Sequence, residues 1–206
     1  MNLQKYKGLF VIVISVSALL VASPALQRLL VYPQTEFFTE LWLLGPEHMT
    51  KNYPFNITLG EKYHMFLGIA NQLGQCAYYM IQVKFRNQTQ SAADRLNRTP
   101  SSLPPLYSIT AFVADKEKLE IPISFSFNYV QDSYNETLSQ VRFLTMTFND
   151  NVLNLNDYSA VWDAEKSVFF SNLFFELWIY NGTVGAFTYH ERFTDLKFNM
   201  TVSAMD

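Results

Sequence analysis

The stretch "EIPISFSFNYV" constrains the fold more than any other part of the chain. Read two residues at a time, it puts Ile121, Ile123, Phe125, Phe127 and Tyr129 on one face and Pro122, Ser124, Ser126 and Asn128 on the other. A pleated strand sends alternate side chains to opposite sides, whereas a helix would scatter these apolar residues around its circumference. The same period runs through "YYMIQVKF", with Tyr79, Ile81, Val83 and Phe85 inward. It recurs in "DLKFNMTV", with Leu196, Phe198, Met200 and Val202 inward and Lys197, Asn199 and Thr201 outward. Further strands are expected at 37–44, 63–70, 107–113, 141–148, 173–180 and 186–190, separated by the turn sequences "LGPEHMTKNYP", "NQLGQ", "ADKEK" and "YNGT". About seven to nine short strands joined by turns point to an all-β fold, an Ig-like antiparallel β-sandwich. "NITLGEKYHMFLGIANQLGQCAYYMIQVKF" reads as a hairpin of two strands around a short turn.

Two stretches break the pattern. Residues 87–105 are polar and rich in Pro and Ser, and read as a long surface loop. Residues 149–170 suggest one or two helical turns around 160–166. Loops of this length are uncommon without a reason, which makes both candidate partner-binding elements. Pro122 has no amide donor, so its strand is expected to be an edge there or to start there. The single cysteine, Cys76, can form no intramolecular disulfide, and is read as a small buried hydrophobe at a strand edge. Stability must therefore come from packing, which a chain of 206 residues can supply.

The N-terminus is different. After Lys5 and Lys7 comes an uncharged apolar run over 8–26, about 19 residues or roughly 28 Å of helix, enough to cross a hydrocarbon core. Extended to 31, with Arg28 reaching the headgroups, it reads as a transmembrane anchor helix over residues 8–31. Residues 1–7 are then cytoplasmic and 32–206 form the exported domain. Tyr6 and Tyr32 would sit at the two interfaces. A cleaved signal peptide ending near Ser23-Pro24-Ala25 is the rival reading, although the apolar run exceeds the usual length for one. Either reading exports the remainder of the chain.

Asn-x-Thr sequons begin at Asn56, Asn87, Asn97, Asn135, Asn181 and Asn199. With 15 Asn and 29 Ser plus Thr in the chain, chance would supply about two, so six point to an exported glycoprotein. The net charge of −3 gives no basic footprint for nucleic acid.

The densest stretch is "WIYNGTVGAFTYHERFTDLKFNMT", residues 178–201. Asn181-Gly182 suits a tight turn, Phe187 and Tyr189 share a face, and His190-Glu191-Arg192 joins two strands. We read Gly185, Phe187, Tyr189, His190 and Arg192 as a structural sheet corner, with Tyr189 in the core and His190 and Arg192 bonded to carbonyls at a sandwich end. A binding loop is the competing reading. A copper site would need a His soon after the cysteine, and none follows Cys76 until His190. No nucleophile elbow, phosphate-binding glycine loop or zinc-binding helix motif is present. The sequence points to no catalytic residue, cofactor or metal.

Two stretches carry a family resemblance. "FFTELWLLGPEHMTKNYPFNITLGEKYHMFLGIANQ" and "ELWIYNGTVGAFTYHERFTDLKFNMT" resemble the opening and closing motifs of an archaeal membrane-protein family built on the domain of unknown function DUF1616. The resemblance implies an exported Ig-like domain after membrane helices, of which this chain has one, and transfers no catalytic residues. The expected function is non-enzymatic: a single-pass, N-anchored, glycosylated domain making protein contacts at an archaeal cell surface. The expected partners are the lipid bilayer, through residues 8–31, and an envelope or membrane protein. An accessory subunit of a larger membrane complex and an envelope-glycan enzyme are the alternatives.

Overall fold

A computed structural model describes residues 6–30, 37–134 and 138–201. By internal contacts the chain divides into Met1–Phe37 and Phe38–Asp206. The first unit contains one helix, α1 (Lys7–Leu30). The expected helix thus forms, but among the described residues no helix is long and apolar enough to cross a membrane. Residues 1–5, with Lys5, and 31–36, with Tyr32 and the expected anchor end, lie outside the described residues.

The second unit is a two-sheet β-sandwich. Sheet A orders β1 (Phe38–Leu44), β3 (Tyr63–Gln72), β6 (Lys118–Tyr134), β7 (Leu138–Phe148) and β8 (Asn151–Asn154), with β9 (Ser159–Val161) also on β7. Sheet B orders β2 (Asn56–Ile57), β11 (Ala186–Met200), β10 (Phe170–Asn181), β4 (Ala77–Asn87) and β5 (Tyr107–Val113). Every pairing is antiparallel except the two-residue contact of β2 with β11.

The three alternating stretches place their described inward residues as expected, Ile121 half-buried against the cluster, and Val202 lies outside the described residues. Tyr79, Ile81, Val83, Phe85, Ile123, Phe125, Phe127, Leu196, Phe198 and Met200 are buried in one cluster between the sheets. Phe85 is its hub, in ring contact with Phe127, Phe143, Tyr158 and Phe198. Pro122 pairs only with Phe66 of β3, because β7 joins β6 from Phe125 onward. The strand is one-sided at the proline, where a missing donor costs no ladder bond.

Several expectations are corrected. Among the described residues eleven strands form rather than seven to nine. β2, β8 and β9 run two to four residues and are too short to show a period. Residues 149–170 hold β8, β9 and the turn bridged by Asp163 and Val168, not helical turns. β3 and β4 lie in different sheets, so the turn between them crosses the sandwich and is not a hairpin. Cys76 is exposed in that turn, one residue before β4 begins. Residues 186–200 are one strand, so no sheet corner exists at His190.

The buried hub sets a stability expectation. Phe127→Ala should cost roughly 3–5 kcal/mol by removing a fully buried ring. Phe187→Ala, on a half-buried outer position, should cost only about 1 kcal/mol. Chemical denaturation of the full chain checks both, and equal costs would contradict this packing.

Candidate functional site: an aromatic face on sheet B

β10 and β11 form a long hairpin closed at residues 182–185. Gly185 takes the left-handed conformation there (φ 71°), and its N–H donates to Asn181 O at 2.8 Å. Downstream, Leu177 pairs with Arg192 while Trp178 pairs with Tyr189, so His190 and Glu191 are extra residues on β11. Glu191 absorbs the bulge with φ 56°. An insertion of two preserves parity, so even-numbered residues face the other sheet on both sides of it and odd-numbered ones face outward. Tyr189 is therefore on the outer face against Trp178, not in the core as the sequence suggested.

The inward residues close the gap to β1. His190 Nε2 lies 2.8 Å from Thr39 Oγ1, Thr39 Oγ1 lies 3.0 Å from the Tyr79 hydroxyl, and that hydroxyl donates to Asn71 Oδ1 at 3.2 Å. The last bond fixes the sense of the chain. Tyr79 gives its proton to Asn71, so Thr39 donates to Tyr79, and His190 must donate from Nε2 to Thr39. Arg192 Nε adds a bond to Thr39 O at 3.3 Å. Of the two residues expected to bond carbonyls at a sandwich end, Arg192 reaches a carbonyl and His190 a hydroxyl, both from mid-strand against the edge strand β1. Burial, then the Arg192 charge, lowers the His190 pKa below its usual value, which suits a neutral donor.

Outward, the strands of sheet B align a row of rings. Tyr180 pairs with Phe187 across β10 and β11, and Tyr78 pairs with Phe112 across β4 and β5. Tyr78 stacks on Phe112 at 4.1 Å between centroids and meets Phe187 at 5.1 Å and Tyr180 at 6.2 Å. Phe112 is 70% exposed, Val184 65% and Tyr180 45%. Four strands at about 4.8 Å spacing make this row roughly 14 Å wide. Trp178 and Tyr189 form the next row, and the Trp178 Nε1 is buried without a partner among the described residues. Burial, then the carboxylates of Glu176 and Glu191, push the Tyr189 phenol up to about 12, so it stays protonated.

The other half of this outer face is covered. The stretch 87–105, expected to be a surface loop, is a packed strap that connects β4 and β5 over residues 88–106. Lys84 and Glu176 pair at 2.8 Å beneath it, with side chains 3% and 0% exposed. Ser101 N–H donates to Glu176 Oε1 at 2.7 Å, and Lys84 Nζ donates to Ser101 O at 2.9 Å. Arg95 lies over the Phe193 ring at 4.8 Å, and Arg98 pairs with Glu191 at 3.2 Å. A separate shallow pocket of about 380 Å³ opens near Leu43, Tyr53 and Asp195, with Tyr53 donating to Leu43 O.

The sequon asparagines differ in what their amides do. Asn97 is exposed, its Nδ2 bonded only to Asp94 beside it. Asn181 caps the hairpin turn through Oδ1, and its Nδ2 makes no bond among the described residues. Asn87 Nδ2 reaches across to Ser159 O of β9 at 2.7 Å, and its Oδ1 organises the turn after β4. Asn199, expected outward, is half-buried. Its Oδ1 accepts from Phe169 N–H, and its Nδ2 donates to Asn56 Oδ1 at 3.1 Å. Asn135 lies outside the described residues. The three histidines are dispersed: His48 stacks on Phe66 and bonds Glu120, and His64 is exposed on β3. Among the described residues no group of three or more His, Cys, Asp or Glu is placed to hold a metal ion.

Tyr78, Phe112 and Trp178 were not singled out in the sequence. The signal was parity. Once Tyr79, Ile81, Val83 and Phe85 are inward, Tyr78 must face out, and Phe112 shares the outward register of Ser108 and Thr110.

The His190 pKa sets a pH expectation. Its folded value lies below the unfolded 6.5 or so, so the unfolded state takes up the proton first. This stability is present above pH 6.5 and is lost as pH falls through the folded value. Denaturation midpoints between pH 7.5 and 5 should therefore fall more steeply for the native chain than for His190→Gln. Parallel profiles would contradict a buried neutral imidazole.

Comparison with curated proteins finds no match. Among solved structures, the Listeria innocua β-glucosidase in complex with gluconolactone is 11% identical, with a TM-score of 0.38 over 84% of this chain and 17% of that chain. A mutant of that enzyme in complex with laminaribiose is 10% identical, with a TM-score of 0.40 over the same shares. The chain thus spans about one sixth of their length, and likeness at this level carries no argument about fold or activity. The family model described as "Domain of unknown function (DUF1616)" matches residues 33–144, over half of the 206 residues. That match takes in the first of the two stretches singled out in the sequence, and the chain belongs to the DUF1616 family.

Proposed function

We propose that the chain is a non-enzymatic, membrane-anchored and N-glycosylated Ig-like domain that makes protein contacts at an archaeal cell surface. The observation that carries this reading is the bare aromatic half of sheet B, with Phe112, Tyr78, Tyr180 and Phe187 in one row beside a strap that covers the other half. Clustered exposed rings of this kind are unusual on a monomer and suit a partner surface, where aromatic residues give large contact area with little rotamer loss.

The strand order supports the Ig-like part. An Ig frame has its first, second and fifth strands in one sheet and its third, sixth and seventh in the other. Here β1, β3 and β6 are neighbours in sheet A, and β4, β10 and β11 are neighbours in sheet B. β7, β8 and β9 are then an addition between the fifth and sixth. The uncharged run inside α1 supports the anchor, because one helix cannot bury an apolar surface on all sides by itself. The lysines before it favour an N-in orientation, and the sequons favour export.

A photoreactive benzoylphenylalanine at Phe112, in the full chain and its native membranes, should capture protein. The double variant Tyr78→Ala/Tyr180→Ala should reduce capture from a probe at Phe112 at least tenfold. Adducts of lipid or glycan alone would overturn the reading.

Glycopeptide mapping from native membranes should find Asn97 and Asn181 occupied and Asn87 empty, because a sugar on the Asn87 nitrogen would enter the contact with β9. Asn56 and Asn199 hydrogen-bond to each other, so one of them at most should be occupied, with the exposed Asn56 favoured. A fully occupied Asn87 would contradict this.

A further inference from the structure

The rings of the aromatic row end at Phe112, on the edge strand of sheet B. Among the described residues the β5 backbone pairs only with β4, to which Leu106 N–H at its entry also donates, apart from the Val113 carbonyl, which accepts from Asn71 Nδ2. Its far side is open. Natural sheets close or spoil such edges with charge, proline, bulges or very short strands. Every other edge of this sandwich is treated in that way. β1 carries the exposed Glu40, and its Thr39 carbonyl is taken by Arg192. β2 has two residues and pairs only with Asn199 and Met200, and the rest of the β11 edge carries the bulge and Glu191, Arg192, Asp195 and Lys197. The free part of β6 carries Lys118, Glu120 and Pro122, and β8 has four residues. β9 has three, and its Ser159 and Val161 carbonyls accept from Asn87 and Gln88. β5 has seven residues, "YSITAFV", with no charge, no proline and no register shift against β4.

We propose that β5 pairs antiparallel with β5 of a second copy of this chain, about a two-fold axis through Thr110, joining the two B sheets edge to edge. This rests on the reading of the aromatic face as a protein-contact surface and names its partner. The strand is complementary to itself in this register. The two-fold sets Thr110 opposite Thr110, Ile109 opposite Ala111, Phe112 opposite Ser108 and Tyr107 opposite Val113. The two most unequal side chains are thereby matched, and Phe112, the most exposed ring of the row, lies against the smallest outward residue of the strand. Directly opposed residues share a face, so the apolar side remains apolar across the junction. The absence of charge matters as well. Two copies of a chain with net charge −3 repel in general, but this edge brings no like charges together.

The test uses the full chain reconstituted in lipid nanodiscs and in detergent. In a Cys76→Ser background, Thr110→Cys should oxidise to a disulfide-linked dimer, because directly opposed Cβ atoms stand about 4.5–5.5 Å apart, close to disulfide reach. The rate should exceed that of Ser102→Cys, an exposed strap position, at least tenfold. By sedimentation, Thr110→Lys and Thr110→Glu should each shift the chain to monomer, and mixing the two should restore a dimer. That rescue would not follow from misfolding. A monomer at every concentration, with Thr110→Cys no faster than Ser102→Cys, overturns the pairing. The Phe112 photoprobe separates the two readings. Adducts of twice the chain mass support the pairing. Adducts only to a different protein sink the pairing and leave the contact reading intact, and the absence of any protein adduct sinks both.

Discussion

The ring cluster around Phe85 is the constraint on which the rest depends. With one cysteine the chain has no disulfide to limit its unfolded state, so the two sheets are held by what they bury between them. Phe85 supplies β4, Phe127 and Phe143 supply β6 and β7, and Phe198 supplies β11, so one contact set ties four strands from both sheets. Each inward phenylalanine also fixes the parity of its strand. A slip of one residue would bring Lys84, Arg86 or Lys197 into the core, at a cost far above that of a lost methylene. Fixing what faces inward fixes what faces outward, and the position of Tyr78, Tyr180 and Phe187 on the outer surface is a consequence of the core.

This logic also explains what the sequence disclosed. Strict alternation revealed β4, β6 and the second half of β11 down to individual side chains, because four or five consecutive matches to a period of two leave no competing pattern. β2, β8 and β9 gave no such signal at two to four residues, and the Asn-rich stretch around β8 reads locally as turns. Tyr189 was misplaced for a different reason. The parity of 186–200 is continuous and puts Tyr189 opposite Leu196, Phe198 and Met200. Assuming a corner at His190-Glu191-Arg192 broke that continuity, whereas a two-residue bulge with a left-handed Glu191 keeps it. The chain from His190 through Thr39 and Tyr79 to Asn71 was not legible at all, because its members are far apart in sequence and meet only once the sheets have packed.

Lys84 and Glu176 pose the opposite problem, an ion pair where burial is expensive. Both are outward-facing on adjacent strands, and on an open sheet they would be solvated. Covering them removes water from two charges. That loss is compensated only when the pair is close and the remaining lone pairs and protons find partners. Ser101 provides both, one donor for Glu176 and one acceptor for Lys84. A hydrophobic strap could slide along a greasy face, but this one has a single position in which the buried charges are satisfied. The pair is therefore better understood as a register pin for the strap than as a source of net stability.

The position of that pin decides the surface available for contact. With Ser101 fixed over Glu176, Arg95 meets Phe193 and Arg98 meets Glu191, and the strap extends as far as the bulge. Trp178 and Tyr189 are half-buried beside it, and the row beyond them, Tyr180, Phe187, Tyr78 and Phe112, keeps exposed rings at Phe112 and Tyr180. The chain thus buries two charges at the cost of their hydration while leaving adjacent aromatic rings in water. For folding alone the reverse would be the more stable arrangement, since rings gain from burial and charges lose. The contact reading proposed above accounts for that boundary, because a face that meets a partner is left uncovered in the isolated fold. The uncharged β5 edge continues that face to the margin of the sheet, where the proposed second copy would add backbone hydrogen bonds without moving the strap.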